Sequence, residues 1–305
     1  MDVLTITNRE VTEDLPGMFI KYLDASPRTV DTYRKAIRQF FKYIQRTGTR
    51  HPDRDTVIAY REQLRADGKK PATIQNYITA LRLFFEWAED AGLYPNIARH
   101  IKGAKLTREH KRDALTGEQV KMILQRIDRT TVQGRRDYAL FALMVAGGLR
   151  DIEAHRANLE DLRTVGGVPV LLLQGKGRED RGEYIKIVPE VEKALRDMIA
   201  DRKRPAGGKP LFVSMSNNNR GGRLSTRSIS GIIKKRMIDA GFNSDRLTAH
   251  SLRHSAVTLA LQGGIPLEEA QQFARHANIS TTLIYAHNLE RMRNQSESTI
   301  ARAIF

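Results

Sequence analysis

Four side chains in the last third of the chain, His250, Arg253, His276 and Tyr285, are of types that could act together on a phosphate ester. Tyr285 is the only tyrosine after Tyr184 and offers a nucleophilic oxygen. A tyrosine hydroxyl has an unperturbed pKa of about 10, so attack near neutrality needs a base or a strong positive field. Two arginines and two histidines could supply that field. His250 and Arg253 are three residues apart near an expected helix start, which puts both on one face where backbone N–H groups point at an anion. Arg150 follows Gly147-Gly148-Leu149, a turn at which backbone can approach a ligand and a guanidinium can grip phosphate oxygens with two donors. Lys176 stands between Gly175 and Gly177, where a mobile ammonium could reach a leaving group. Singly, each signal has a plain reading: a chance HxxR pair, a solvated cap, a turn lysine, a core tyrosine on an amphipathic helix.

Charge gives these residues a context. The 305-residue chain carries a formal charge of +16 and a pI near 10.1. That excess favours a polyanionic partner, because each cation that neutralises a phosphate releases condensed counterions. Ten lysines and arginines and no acidic residue lie between Arg202 and Arg236, and this window reads as a nucleic-acid face; Arg223, Arg227, Lys234 and Lys235 are its candidate contacts. There is no cysteine, which removes disulfides and thiolate metal sites. The longest apolar run, Ala139 to Leu149, is too short to span a bilayer, and the N-terminus has no basic-then-apolar signal pattern. A soluble, intracellular protein is expected.

The elements that must position the candidates divide near residue 105. In the first part, Val30, Tyr33, Ile37, Phe40, Phe41 and Ile44 recur with helical spacing between Arg28 and Thr47, and Ile74, Tyr77, Leu81, Phe84 and Phe85 repeat the pattern. With shorter helices over Thr12 to Leu23 and Thr56 to Ala66, a four-helix domain over residues 1–100 is expected. Residues 101–114 hold six basic side chains when His110 is counted and read as a linker that could lie along a phosphate backbone, with Lys102 and Lys105 as candidate contacts. In residues 115–305, Thr116 is expected to cap a helix, and Arg136 to Ala146 to form an apolar one stopped by Gly147-Gly148. Val168 to Leu173 and Tyr184 to Val188 read as a hairpin around residues 175–182. Ile229, Ile232, Ile233 and Met237 mark one helical face, and Leu252, Val257, Leu259 and Leu261 another after Thr248. Ser280 is placed to cap the helix of Tyr285, nine residues after His276. The expected fold is mainly α with a small β-sheet in the second domain.

Taken in order, Gly148-Leu-Arg-Asp-Ile-Glu153, Gly175-Lys-Gly177, His250-Ser-Leu-Arg-His-Ser255 and His276-Ala-Asn-Ile-Ser-Thr-Thr-Leu-Ile-Tyr-Ala-His287 resemble the signature set of the tyrosine recombinases, the phage integrase and Xer-like family. The segment from Ser26 to Phe41 is similar to that family's helical core-binding domain. The resemblance implies a site-specific DNA recombinase in which Tyr285 attacks a phosphodiester to give a covalent 3′-phosphotyrosyl link and a 5′-hydroxyl, with no nucleotide cofactor or metal. It assigns Arg150 and Arg253 to the non-bridging oxygens, His250 to proton transfer and phosphate positioning, His276 to a hydrogen bond on the phosphate and Lys176 to protonation of the leaving oxygen. Glu153 takes a supporting position. It further implies a homo-tetramer on two double-stranded DNA sites, with accessory proteins as further partners and the C-terminal segment docking on a neighbour. The organisation resembles the simple Xer-like one.

One departure stands out. The family usually has Leu-Gly-His where this chain has Ala274-Arg275-His276, which adds a cation and removes a glycine turn. Two other readings use nearly the same residues: a type IB topoisomerase-like nicking and closing enzyme, and a DNA-binding protein whose site is inactive. The short helical N-terminal domain and the C-terminal segment favour recombination over the first; six competent positions disfavour the second.

Overall fold

The structure is a computed structural model that describes residues 15–105, 113–175, 181–202 and 209–305. The chain separates into two compact units, Met1–Glu109 and His110–Phe305. The first unit contains α1 (Leu15–Tyr22), α2 (Pro27–Arg46), α3 (Arg54–Ala66) and α4 (Pro71–Asp90). Each start has a local cause. Pro27 and Pro71 open α2 and α4, where a missing N–H costs nothing. Ser26 Oγ accepts from Thr29 N, and Asp53 and Thr56 form a reciprocal capping box on α3. The helical-period positions Ile37, Phe40, Ile44, Ile74, Ile78, Leu81, Phe84 and Phe85 are all buried. Phe84 meets Phe19, Phe41 and Phe85 edge to face at centroid separations of 5.4, 5.7 and 5.0 Å.

The basic stretch read as a linker starts inside this unit. Ile101 is buried in the same core, and Arg61 Nη1 donates to the Lys102 carbonyl at 2.8 Å. Lys102 and Lys105 are exposed, whereas Arg108, His110, Lys111 and Arg112 lie outside the described residues.

The second unit is helical around a small sheet, as expected. It runs through α5 (Gly117–Arg126), α6 (Val132–Ala146), α7 (Asp151–Arg156), β1 (Leu162–Val165), β2 (Val168–Leu173), β3 (Glu183–Lys186) and α8 (Pro189–Ala200). It then continues with α9 (Thr226–Asp239), α10 (Ala249–Gln262), α11 (Leu267–Ala274), α12 (Ser280–Arg293) and α13 (Ser296–Ile304). Thr116 and Gln119 cap α5 reciprocally. Helix α6 begins before Arg136 because Thr131 Oγ1 accepts from Gly134 N at 3.0 Å; its residues Ala139 to Val145 are buried and pack against α8 and α10. The strands form an antiparallel sheet in the order β1-β2-β3, with Val165 opposite Val168 and Leu171 opposite Ile185. Strand β1 escapes the sequence reading: it is four residues long and mostly exposed, joined to β2 by Gly166-Gly167, both at positive φ as a tight two-residue hairpin turn requires. Strand β3 ends at Lys186, two residues short of the expected Val188, and Pro189 then starts α8. The face of α9 buries Ile229, Ile233 and Met237, and α10 buries Leu252 and Val257.

Candidate active site

The turn between α6 and α7 is built to hold Arg150. Gly147 ends α6, and a Cβ on it would lie 2.4 Å from the Ile185 side chain. Gly148 takes φ +56, and its Cα faces the Phe273 ring so closely that a Cβ would sit 3.1 Å away. Leu149 is buried. Arg150 then occupies the N-cap of α7, where its amide donates to Glu153 Oε2 at 2.9 Å and its Nη1 to Glu153 Oε1 at 2.7 Å. Glu153 is 1 % exposed. Burial pushes its carboxyl up, but Arg275, the Arg150 amide and the Arg150 guanidinium together outweigh burial and hold it below the usual carboxylate range.

Arg253 comes from α10. It is 2 % exposed, donating through Nη1 to the Gly148 carbonyl at 2.7 Å and through Nη2 to the Ala274 carbonyl. It therefore ties the α6–α7 turn to the end of α11. Burial, and then the cations Arg150 and Arg275, pull its pKa down to about 9, so it stays charged at neutral pH. His250, three residues earlier, is exposed at the start of α10. Helix α10 is anchored below by Ser255, whose Oγ accepts from Leu115 N at 2.7 Å.

Arg275 ends α11 in the left-handed region at φ 53, ψ 46. That conformation suits glycine and costs another L residue roughly 1–2 kcal/mol. The guanidinium folds inward: Nη1 donates to the Phe273 and Gly147 carbonyls at 2.8 and 3.3 Å, and Nη2 to the Gly148 carbonyl and Glu153 Oε2 at 2.9 and 3.0 Å. Arg150 Nη2 in turn donates to the Arg275 carbonyl at 3.2 Å. The sequence marks Arg275 as an added cation, but nothing in it signals burial or the bond to Glu153.

Tyr285 is 4 % exposed on α12 and packs with Val257, Ala274 and Leu261. The His276 ring stacks on it at 6.2 Å and 24°, and the His254 ring meets its edge at 4.7 Å. Burial raises the Tyr285 pKa, opposed by Arg253 and Arg150. His276 Nδ1 is 2.9 Å from Thr282 Oγ1, and Thr282 is fully buried. Burial, then Arg253, Arg150, Arg275 and His250, pull His276 down to about 4, which makes it a neutral imidazole at pH 7. Ser280 is not the cap it was expected to be: it is the first residue of α12, and its amide donates to Asn278 Oδ1 at 2.8 Å. Neither Thr282 nor the ring of His254 was singled out by spacing.

A cleft of about 1220 Å³ opens beside Arg150, Arg275 and His276, also lined by Gly175, Gly182, Tyr184, Glu268 and Glu269. Arg156 Nη1 holds the Gly175 carbonyl at 2.9 Å; Lys176 itself lies outside the described residues.

The acid-free window is not a uniform phosphate-facing surface. Arg223, half-buried, donates to the carbonyls of His155 and Ala157 and to Asn158 Oδ1, and Lys234 donates to the carbonyls of Ser244 and Leu247. Both cations are half-buried and hold backbone carbonyls of this unit. Lys235 pairs with Asp239 at 3.2 Å on the surface, and Arg227 is exposed. Among the described residues no helix is long and apolar enough to cross a membrane.

The family model described as the phage integrase family matches residues 113–292, and that of the phage integrase N-terminal SAM-like domain matches residues 18–92. The chain is 26 % identical to tyrosine recombinase XerD of Listeria innocua over 91 % of this chain and 94 % of that protein. It is 28 % identical to tyrosine recombinase XerC of Thermodesulfovibrio yellowstonii over 93 % of each. Among solved structures, the XerH site-specific recombinase bound to palindromic difH substrate in a post-cleavage complex shares the fold with a TM-score of 0.74 and 22 % identity, covering 94 % of this chain and 84 % of that one. A lambda integrase dimer bound to a COC′ core site gives a TM-score of 0.67 at 18 % identity, covering 88 % and 95 %. With both units matched in order and the matched second unit carrying the Arg150, Arg253, His276 and Tyr285 cluster, the chain belongs to the phage integrase family of tyrosine recombinases.

Proposed function

We propose that this enzyme cuts and rejoins double-stranded DNA at specific sites, with Tyr285 as the nucleophile. The observation that carries the assignment is the buried Tyr285 ring, stacked on His276 and lying within the electrostatic reach of both Arg253 and Arg150. The tyrosine oxygen bonds to the phosphorus while the bond from phosphorus to the 5′-oxygen breaks, so one phosphodiester is exchanged for another and religation needs no outside energy source. Arg150 and Arg253 hold the non-bridging oxygens and stabilise the charge that develops in the pentavalent transition state. Arginine suits this role because its planar fork stays charged. Neutral His276 donates a hydrogen bond to the same phosphate, and Thr282 orients its ring from behind. His250, at the exposed start of α10, helps remove the tyrosine proton, and Lys176 returns a proton to the 5′-oxygen. Glu153 positions Arg150 and does not react.

Exposed cations, among them Lys102, Lys105, Arg227 and Lys235, track the DNA backbone, and the first unit serves as the clamp. Ile300, Ile304 and Phe305 are exposed on and just beyond α13, which supports docking on a neighbouring protomer and a tetramer on two sites. That docking segment favours strand exchange over single-site nicking and closing, in a cytoplasmic protein of Xer-like or mobile-element type acting in integration, excision or resolution, with accessory proteins as further partners.

The test is trapping on nicked duplexes carrying a site recovered by its binding to this protein. Wild type forms a denaturant-resistant complex and Tyr285→Phe forms none; an equal complex with both proteins removes Tyr285 from its role.

A further inference from the structure

The bond pattern around Arg275 is unlike that of a surface cation near an active site. Among the described residues only His100 and Arg275 hold positive φ without being glycine, so the chain places a long charged side chain where the backbone favours none. The side chain is 5 % exposed, and three of the four groups it bonds define the site. It holds the carbonyls of Gly147 and Gly148, which precede Arg150, and it shares Glu153 with Arg150. Its own carbonyl accepts from Arg150, and Arg253 bonds the carbonyls of Gly148 and Ala274 on either side of the same junction. The α6–α7 turn and the α11 terminus are thus cross-linked by three guanidiniums and one carboxylate, with Arg275 at the centre.

We infer that Arg275 is a positioning residue for DNA cleavage: its guanidinium fixes Arg150 and Arg253 as a phosphate-gripping pair and shares the Glu153 charge, so that Arg150 is not wholly neutralised by that carboxylate. The inference rests on the recombinase reading for its link to cleavage, and on geometry alone for its link to the site's charge. Two cations beside one buried carboxylate leave a net positive field. If Arg275 were absent, Arg150 would be the one cation left on Glu153, and that pair by itself would carry no net charge. The chain's departure from the usual glycine thereby acquires a function, since the strained backbone is held by the bonds its side chain makes.

Arg275→Gly relieves the backbone, and Arg275→Lys keeps the charge while losing the planar fork. His276 reports the field: Arg253 and His250 face it from α10, Arg150 from the α6–α7 turn, Arg275 from the preceding residue, and Thr282 and Tyr285 from α12. Removing Arg275 relieves repulsion on the His276 imidazolium, so its pKa rises from about 4. It also takes a cation from Glu153, which moves that carboxyl upward too. The acid limb of the cleavage–pH profile should therefore move to higher pH in Arg275→Gly and stay in place in Arg275→Lys. At the pH optimum both variants should cleave about tenfold to a hundredfold more slowly than wild type, with DNA affinity little changed. A limb that stays in place in Arg275→Gly, with cleavage and binding falling together, means a purely structural residue and overturns the inference; so does wild-type cleavage in Arg275→Lys. Should wild type form no Tyr285-dependent adduct, the recombinase reading fails by itself. The His276 ring titration, followed by NMR in the same proteins, still decides the charge relation, since an unmoved His276 in folded Arg275→Gly overturns it. If Arg275→Gly does not fold, the Arg275→Lys cleavage rate carries the decision.

Discussion

The two units hold their interiors together by different means. The first is closed by rings and aliphatic chains, with Phe19, Phe40, Phe84 and Phe85 all fully buried, and its helix ends are capped by short local bonds. Tyrosines and Trp87 apart, no polar or charged side chain is buried there among the described residues. The second buries Arg136, Asp137, Glu153, Asp161 and Arg253. Asp137 takes Arg136 on one oxygen and Arg236 on the other, and Glu153 is shared by Arg150 and Arg275. Desolvating such groups is costly unless every one is matched, so networks of this kind earn little stability for the fold. The lesson is that the first unit is arranged for cohesion and the second for holding charge in a fixed place, which is what phosphoryl transfer requires.

That contrast can be broken from its strongest effect downward. Arg253→Ala should reduce covalent adduct formation about a thousandfold in single-turnover assays, while DNA retention in filter binding changes little; equal loss of both would mean the residue serves affinity. Phe84→Ala should cost the first unit about 3–5 kcal/mol. Trp87 is the sole tryptophan and lies in that unit, so its fluorescence in a urea titration reads the change directly. A shift below about 1 kcal/mol would contradict an apolar origin of its cohesion.

Acidification should separate the units. In the native state His276 is held near 4 against about 6.5 in the unfolded chain, so between those values the unfolded state binds more protons and stability falls as pH falls. The Glu153 contribution is present above the ordinary carboxylate pKa and is lost only below it, as pH drops through its lowered native value. Lowering pH from 7 to 5 should therefore lower the melting temperature in wild type by circular dichroism, less so in His276→Gln, and the Trp87 signal should lag. Equal sensitivity in both proteins would remove His276 as the cause. The smallest effect belongs to Tyr60, whose buried hydroxyl has no hydrogen-bond partner among the described residues and whose pKa is pushed up by burial. Tyr60→Phe should leave stability within about 0.5 kcal/mol of wild type or raise it, and a loss above about 1 kcal/mol would reveal a partner for that oxygen.

Much of this was legible because it is periodic or ordered along the chain. The faces of α2, α4 and α9, the Thr116 cap and the glycine stop at Gly147 follow from spacing and residue type. The order Arg150, His250, Arg253, His276, Tyr285 needed only the sequence. What was hidden depends on acceptors that a sequence does not display. Arg223 and Lys234 counted as surface charge until backbone carbonyls far along the chain, at His155 and Leu247, proved to be their partners. Ser280 is itself the first residue of α12, which Ile279 precedes with no side-chain cap, and its amide donates to Asn278 Oδ1. Strand β1 carries no alternation, having one half-buried residue and three exposed ones. Arg275 combined both difficulties, a backbone conformation foreign to its residue type and partners on four distant groups.

The central claim is that the buried tyrosine of α12 becomes the covalent link to DNA. Peptide mapping of the trapped complex by mass spectrometry tests it most directly, combined with end analysis of the released strand. The account predicts DNA joined through a 3′-phosphate to the peptide carrying Tyr285, and a 5′-hydroxyl on the released fragment of the same cleaved strand. Attachment to a different residue, or a released 5′-phosphate, would contradict it.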